Sequence, residues 1–421
     1  MTRGVFGALC AAFLIMTPAL SGCASASDVR PLVRSDAGDS GVAVAQASSG
    51  FQTWREGFRP RAYAAGISAR TFDAAFRGIT PDPDVIRLDR RQAEFTKAIW
   101  EYLDTAVSDA RVQNGRGHAQ RLSRTLAAIE KTYGVDGEVV LAVWGMETNY
   151  GSYRGSNNVI RSLATLAYDG RRRRFAEEQL IAAMQILQSG DVAPSAMKGS
   201  WAGAMGHTQF IPTSYLAYAQ DFNRDGRRDV WSDDPTDALA STAAYLKRFG
   251  WTQGQPWGVE VRLPQGFNYG NIDPKIWRPV SRWTQLGVRG VDGKAVPNYG
   301  EASLLAPAGA RGPVFMVFKN FNVIKRYNNA TSYAMGVGHL AHRIRGGADF
   351  QAPWPRNDRA LSRNEKVEIQ KRLSARGFST GGADGLIGAN TMAAIRDYQR
   401  SQGLVPDGYA SLGLLKRLRG G

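Results

Sequence analysis

Cysteine is almost missing from this chain: two in 421 residues, Cys10 and Cys23. Both lie in the first two dozen positions, so the body that follows has no pair to oxidise and must be held by packing. Histidine is nearly as scarce. The four, His118, His207, His339 and His342, form no HExxH or cysteine-rich ligand pattern, and His339 with His342 reads as decoration of one helix face rather than a zinc site. Acid is in deficit as well, with 53 Lys and Arg against 37 Asp and Glu, a formal charge of +16. Such an excess suits nucleic acid, an anionic lipid surface or an acidic polymer. The apolar run from Val5 to Leu20, preceded by Arg3 and broken by Pro18, is too short for a comfortable spanning helix and has the make-up of a secretory signal. Export excludes nucleic acid as the partner.

The signal ends in Leu20-Ser21-Gly22-Cys23, which resembles the lipobox of bacterial lipoproteins. The resemblance implies that residues 1–22 are removed, that Cys23 is lipidated, and that the protein works in the periplasm; Ala24 in place of Asp after the cysteine favours the outer membrane. The alternative is an ordinary signal cleaved near Ala24 or Ala26. Residues 23–50, rich in Ala, Ser, Gly, Asp and Val with no helical period, read as a flexible tether. The main body is expected over 51–346. Its patterns are helical from Asp89 to Ala110, Ala119 to Tyr133, Phe175 to Leu187, Asp237 to Phe249 and Thr331 to Arg345. Short β-like runs, Val259 to Leu263 and Val314 to Phe318, indicate a smaller sheet-containing lobe. A Gly/Pro-rich linker over 347–359 then separates a tail, 360–421, too small to be the main core.

Within this body one residue is out of place chemically. Glu147 is the only acid between Val139 and Gly151, in a segment apolar on nearly every face and therefore buried. Asp136 is the expected N-cap and Gly151 the residue just past the C-terminus. Burial and the negative end of the helix dipole both disfavour the ionised carboxyl, so both raise its pKa. An acid kept protonated near neutrality is what a glycosidic or acyl leaving group needs. The plainer reading is a glutamate reaching solvent from the last turn of a core helix.

Three more constellations accompany it. Lys198-Gly-Ser200-Trp-Ala-Gly-Ala-Met-Gly-His-Thr-Gln209-Phe210 is a glycine-rich loop whose small residues would let backbone approach a ligand, with Ser200 and Gln209 supplying a hydroxyl and an amide. Arg326-Tyr327-Asn328 followed by Tyr333 offers aromatic platforms and an amide of the kind that sugar rings stack on. Asp221-Phe-Asn223-Arg-Asp225-Gly226-Arg227 follows the first half of an EF-hand loop, but Ser232 stands at position twelve, where that loop needs a bidentate Glu. Arg171 to Arg174 is the densest basic run, placed at a helix entrance where guanidinium groups could contact carboxylates.

Taken in order, ETNYG, KGSWAGAMGHTQF, DFNRDGRRDVW and RYNNATSYAM resemble the membrane-bound lytic murein transglycosylase B family, over roughly Phe51 to Arg345. The resemblance implies a mainly α (α+β), lysozyme-like catalytic domain with a small β-containing lobe. It implies cleavage of the β-1,4 bond from N-acetylmuramic acid to N-acetylglucosamine without water, leaving a 1,6-anhydro product. Glu147 matches the catalytic acid. Ser200, Gln209, Tyr245, Tyr327, Asn328 and Tyr333 fall on glycan-binding positions, and Arg171 and Arg172 fall near a basic pair. Family members close the metal loop with a later acid, here Asp237, so Asp221, Asn223, Asp225, the Arg227 carbonyl and Asp237 are the expected ligands of a structural Ca2+; helix capping is the competing role of Asp237. No cofactor is implied for catalysis.

The tail carries Gln370, Asp384-Gly385, Thr391, Gln399 and Asp407-Gly408 at spacings that resemble a three-helix peptidoglycan-binding domain. Peptidoglycan strands and the outer membrane are the partners this reading implies, with cell-wall synthesis or division proteins a class that no motif specifies. Two rivals are a hydrolytic muramidase, using a second carboxylate such as Asp169, and a non-catalytic wall-binding protein.

Overall fold

The computed structural model describes residues 39–90 and 97–420; the signal, Cys23 and part of the expected Asp89–Ala110 helix lie outside them. The described chain falls into two units. The first comprises 39–90, 154–217 and 224–232; the second comprises 97–153, 218–223 and 233–420.

The first unit is helical. Asp39–Ala64 begins inside the segment expected to be a tether and runs into the body. Beyond it, Val159–Asp169 and Arg173–Ser189 form its centre. Leu163, Ala164, Leu180 and Met184 are fully buried, the apolar stripe that the 3.6-residue period demands. A two-stranded antiparallel ribbon pairs Asn157–Asn158 with Lys198–Gly199 and so fixes the start of the glycine-rich loop.

The second unit is built around the acid-bearing helix, Gly137–Thr148, whose residues from Val139 to Gly145 are all buried. Thr331–Ile344, Asp109–Arg121 and Thr236–Arg248 surround it. A helix buried on every side must satisfy its ends with tertiary partners, and that changes one expectation. Asp136 makes no cap bond. Its carboxylate instead accepts from Trp251 Nε1 at 2.8 Å and Gly254 N at 3.3 Å, and pairs with Arg345 at 3.2 Å. The pattern from Ala119 to Tyr133 likewise divides between two helices, Asp109–Arg121 and Ser123–Tyr133, at Leu122.

The β-lobe belongs to the same unit. Its antiparallel sheet runs in the order Arg278–Pro279, Glu301–Leu305, Val314–Val317, Gly258–Arg262, Arg289–Gly290. Register pairs Gly258 with Val317 and Leu305 with Phe315. One face closes over Trp283, Phe318 and Val288.

The tail forms three helices, Arg363–Ala375, Ala389–Ser401 and Leu412–Arg419, around Ile369, Leu373, Ile395 and Leu415. The segment leading to it is pinned rather than loose. Glu260 accepts from Gln351 N and Ala352 N at 2.8 and 2.7 Å, Phe350 stacks on His339 at 3.8 Å, and Arg356 grips Asp104 with both terminal nitrogens. His339 thus packs against the segment leading to the tail, with Phe350 on its ring and Asp349 at 2.9 Å from its Nε2. Ala310 N donates to Asp407 at 2.8 Å, Arg396 donates to the Ile272 carbonyl at 3.1 Å, and Arg311 pairs with Asp358. The tail is therefore docked on the β-lobe through partly buried polar contacts.

Candidate active site

Glu147 sits in the last turn of its helix, which ends at Asn149 in the left-handed conformation (φ 49, ψ 54) rather than at Gly151. Its Oε1 accepts a hydrogen bond from the Tyr333 hydroxyl at 2.6 Å. Burial raises the carboxyl to about 7, and the phenol, by stabilising the anion, acts in the opposite direction. Desolvation wins. Tyr333 is itself buried, and its own ionisation is pushed far up by burial and by Glu147, so it is a donor that stays protonated. Among the described residues no ion pair involves Glu147. A carboxyl poised near neutrality, with one oxygen held by a phenol, can give a proton and take one back.

A second phenol was not foreseen. Tyr102, on the helix Ile99–Ala106, is raised by burial and by the nearby Glu147. The bare Cα of Gly336 admits it, since a Cβ there would stand 2.9 Å from Met146 Cε and 3.3 Å from Tyr102 Cε1. Nothing local in Ile99-Trp-Glu-Tyr102-Leu marks this role, because the contact joins helices far apart in sequence.

The other residues expected in this unit gather as an aromatic group. Tyr245 donates to the Arg326 carbonyl at 2.6 Å, and its ring lies 5.0 Å from Tyr327 and 5.0 Å from Tyr218. Asn328 ends the helix Lys319–Tyr327, and its Oδ1 accepts from Ala330 N at 3.1 Å. Tyr245, Tyr327 and Asn328 are half-buried, so each has an edge to offer a ligand. Tyr333 acts on the acid directly.

Ser200 and Gln209 lie in the first unit. Ser200 Oγ is buried and accepts from Ala204 N at 3.0 Å. Gln209, strained at φ 53, spends its amide nitrogen on the carbonyls of Gly206 at 2.8 Å and Arg154 at 3.2 Å. Its amide oxygen is thereby turned away from these carbonyls as an acceptor. The glycines of this loop make room for its own backbone. A Cβ on Gly199 would stand 2.2 Å from the Ala204 carbonyl oxygen, and one on Gly206 2.1 Å from that of Val230. Arg171 and Arg172 both pair with the buried Asp89, so part of their charge is already matched. Asp169, the second carboxylate of the hydrolase reading, pairs with Arg90.

In the metal-type loop, Asp237 is buried, and its Oδ1 accepts from Phe222 N at 2.8 Å and Asn223 N at 3.2 Å. It folds the loop back from the second position of its helix, while Asp234, just before the Pro235 N-cap, accepts from Thr236 N and Oγ1. A carboxylate oxygen of Asp221 lies within 4.8 Å of one of Asp237. Two like charges that close, one of them buried, favour a cation between them. Asp225 accepts from Arg227 N at 2.9 Å, the local turn that an EF-hand-type loop needs.

A mainly helical body that buries one glutamate carboxyl against a phenol and carries a group of tyrosines has the make-up of a lysozyme-like fold. The chain belongs to the transglycosylase SLT family, whose domain model matches residues 50–342, and a putative peptidoglycan binding domain matches residues 362–418; its enzyme class is that of the lytic transglycosylases. It is 32% identical over 250 residues to membrane-bound lytic murein transglycosylase B of Escherichia coli (strain K12), covering 58% of this chain and 66% of that relative, just under two thirds. The structure of SltB3 from Pseudomonas aeruginosa in complex with NAG-anhNAM-pentapeptide matches with a TM-score of 0.85 and 52% identity, over 88% of this chain and 99% of that one. The Escherichia coli lytic transglycosylase Slt35 in complex with calcium matches with a TM-score of 0.59 and 29% identity, over 70% and 92%.

Proposed function

We propose that Glu147, acting alone, cleaves the β-1,4 bond between N-acetylmuramic acid and N-acetylglucosamine in peptidoglycan and releases a 1,6-anhydro-muramyl end. The carrying observation is the environment of the acid: burial holds Glu147 at about 7, and the hydrogen-bond donor on it is a neutral phenol. Ordinary glycosidases divide the work between two carboxylates. Here protonated Glu147 donates to the leaving oxygen while the N-acetyl group of the substrate assists at C1. The resulting carboxylate then takes the proton of the C6 hydroxyl, whose oxygen closes on C1. The proton returns to Glu147 and no water is consumed.

Ser200, Gln209, Tyr245, Tyr327 and Asn328 bind the glycan, Tyr333 touches both glycan and acid, and the free edges of Arg171 and Arg172 meet substrate carboxylates. The tail binds the wall and raises the local concentration of strands. Cys23 carries lipid and anchors the enzyme to the outer membrane from the periplasmic side. Mass spectrometry of fragments released from purified murein tests the chemistry: anhydro ends are expected, and free reducing ends would make the enzyme a muramidase. Absence of both from a folded protein would leave a wall-binding role only.

A structural Ca2+ is supported by the fit of the loop and by the calcium complex of Slt35. Asp221, Asn223, Asp225, the Arg227 carbonyl and Asp237 would hold it; bound there, it would neutralise the acids and contribute stability rather than chemistry. Because a ligand of the folded state alone stabilises by mass action, the melting temperature should rise with calcium in the wild type and not in Asp237→Asn. Equal melting temperatures with calcium and with chelator in the wild type would remove the metal.

A further inference from the structure

Arg111 stands out among the groups that the reaction scheme leaves unused. It is 8% exposed, and among the described residues no carboxylate pairs with it. Arginines are rarely buried without a counter-charge, because desolvating the cation costs several kcal/mol unless its donors are all satisfied. Its donors go to backbone and amide oxygens. Nη1 donates to the carbonyls of Thr105 at 3.0 Å and Ala106 at 2.8 Å, and Nε reaches Asn149 Oδ1 at 3.5 Å.

Those acceptors are not arbitrary. Thr105 and Ala106 end the helix Ile99–Ala106, where carbonyls have no partner in their own helix. One turn back on that helix is Tyr102, whose phenol lies in the field of both Glu147 and Arg111. Asn149 is two residues after Glu147 and ends its helix. The backbone there is strained: Asn149 and Tyr150 both have positive φ, 49 and 58, a conformation disfavoured for residues with a side chain. Tyr150 is held in it through the main chain at the same position, since its hydroxyl donates to the backbone carbonyl of Arg111 at 2.9 Å. Its ring fills space that Gly115 and Gly145 leave open, where a Cβ would come to 2.5 and 2.6 Å of it, and it stacks on His118 at 4.9 Å.

We propose that Arg111 is a positioning residue for the transglycosylase reaction, the clamp that holds the Tyr102 helix and the strained turn after Glu147 in fixed register, so that acid and phenol meet the scissile bond together. The cation adds to the geometry: it stands where two helices present their negative ends and offsets the charge of their unpaired carbonyls. This inference rests on the reading of Glu147 as the acid.

The test compares Arg111→Lys, which keeps charge but loses the planar fork, and Tyr150→Phe, which keeps the ring but loses one anchor. Steady-state rates on soluble murein fragments are measured against pH, with melting temperatures alongside. The expected result for Arg111→Lys is a fall in kcat on the order of 10²-fold, the usual effect of a displacement near 1 Å, with KM within about twofold and the alkaline limb of kcat/KM displaced. Tyr150→Phe should move both in the same direction by less. If both variants melt lower yet keep the wild-type kcat and pH profile, Arg111 is structural only and the inference fails. Should Arg111→Lys not fold, Asn149→Gly decides by the same readouts, because it removes the guanidinium's side-chain acceptor while leaving the arginine and the left-handed turn in place. Wild-type turnover in Glu147→Gln would instead overturn the underlying assignment of the acid, whatever the Arg111 variants do.

Discussion

Glu147 and Glu365 are the same side chain at opposite ends of two helices. Glu147 lies in the last turn of a helix buried on all sides, its carboxyl enclosed, with one phenol as donor. Glu365 lies in the first turn of the helix Arg363–Ala375, completes a capping box with Ser362, and receives both terminal nitrogens of Arg359 at 2.8 and 2.6 Å. The first is raised to about 7; the second is lowered to about 2, mainly by the arginine. The helix dipole contributes with opposite sign at the two ends, and burial against pairing does the rest. One fold thus makes an acid still partly protonated at neutrality and a carboxylate that stays ionised until the pH falls toward 2.

The largest break in this contrast is Glu147→Gln. The amide is nearly isosteric, so fold and glycan binding should survive. Turnover should drop beyond the roughly 10²–10⁴-fold typical of acid-base assistance, because one residue performs both proton transfers. Single-turnover assays on murein fragments, paired with a binding measurement, check this; turnover within tenfold of wild type would move the chemistry elsewhere.

The raised pKa also has a stability signature. Because folded Glu147 keeps its proton until about 7 while the unfolded carboxyl loses it near its ordinary value of about 4.5, the folded state binds the extra proton between these values. Wild-type stability should therefore fall as pH rises from about 4.5 to 7, a difference of up to roughly 3 kcal/mol. The glutamine variant lacks the proton and should gain on the wild type over that window. Chemical unfolding at pH 4.5 and pH 7.5 measures it, and a stability difference between the two proteins that is the same at both pH values would mean that the carboxyl is not held in this way.

This much of the site was legible because the signal was local: an acid in an apolar helical run needs only the period and the burial it implies. What failed was set by distant partners. Asp136 had the right position for a cap, but Trp251 and Arg345, 115 and 209 residues away, claimed its carboxylate. Arg171 reads as part of a solvated run until Asp89, 82 residues earlier, takes its guanidinium. Tyr102 and Arg111 carry no local pattern at all; their roles exist only once helices pack. The glycine-rich loop has a further reason for its composition that no local pattern shows, since Gly199 and Gly206 make room for the Ala204 and Val230 carbonyls.

Tyr333→Phe sharpens the contrast from the side of the acid. The phenol lowers the Glu147 pKa against burial, so its removal should raise that pKa further and move the alkaline limb of kcat/KM upward. A hydrogen bond to a charged group contributes about 1.5–3 kcal/mol, so the move should be a pH unit or more. A limb that stays in place would mean that Tyr333 serves the glycan and not the acid.

The smallest effect belongs to Glu365→Gln. With a folded pKa near 2, the wild-type carboxylate stabilises the tail above its ordinary value of about 4.5 and loses that contribution as pH falls toward 2. The glutamine can still accept from Ser362 N and close the capping box, while the charge pairing with the exposed Arg359 is lost. Exposed pairs contribute little, so the cost at pH 7 should be below about 1 kcal/mol. It should shrink as the pH falls toward 2, where the wild-type carboxylate is taking up its proton. Hydrogen exchange of the amides in Arg363–Ala375 at the two pH values separates this from a change in the catalytic body, because the tail has its own apolar core and can open locally. Loss of protection extending to Ala310 and Ile272, whose contacts with Asp407 and Arg396 dock the tail on the β-lobe, would instead show that the two regions unfold together.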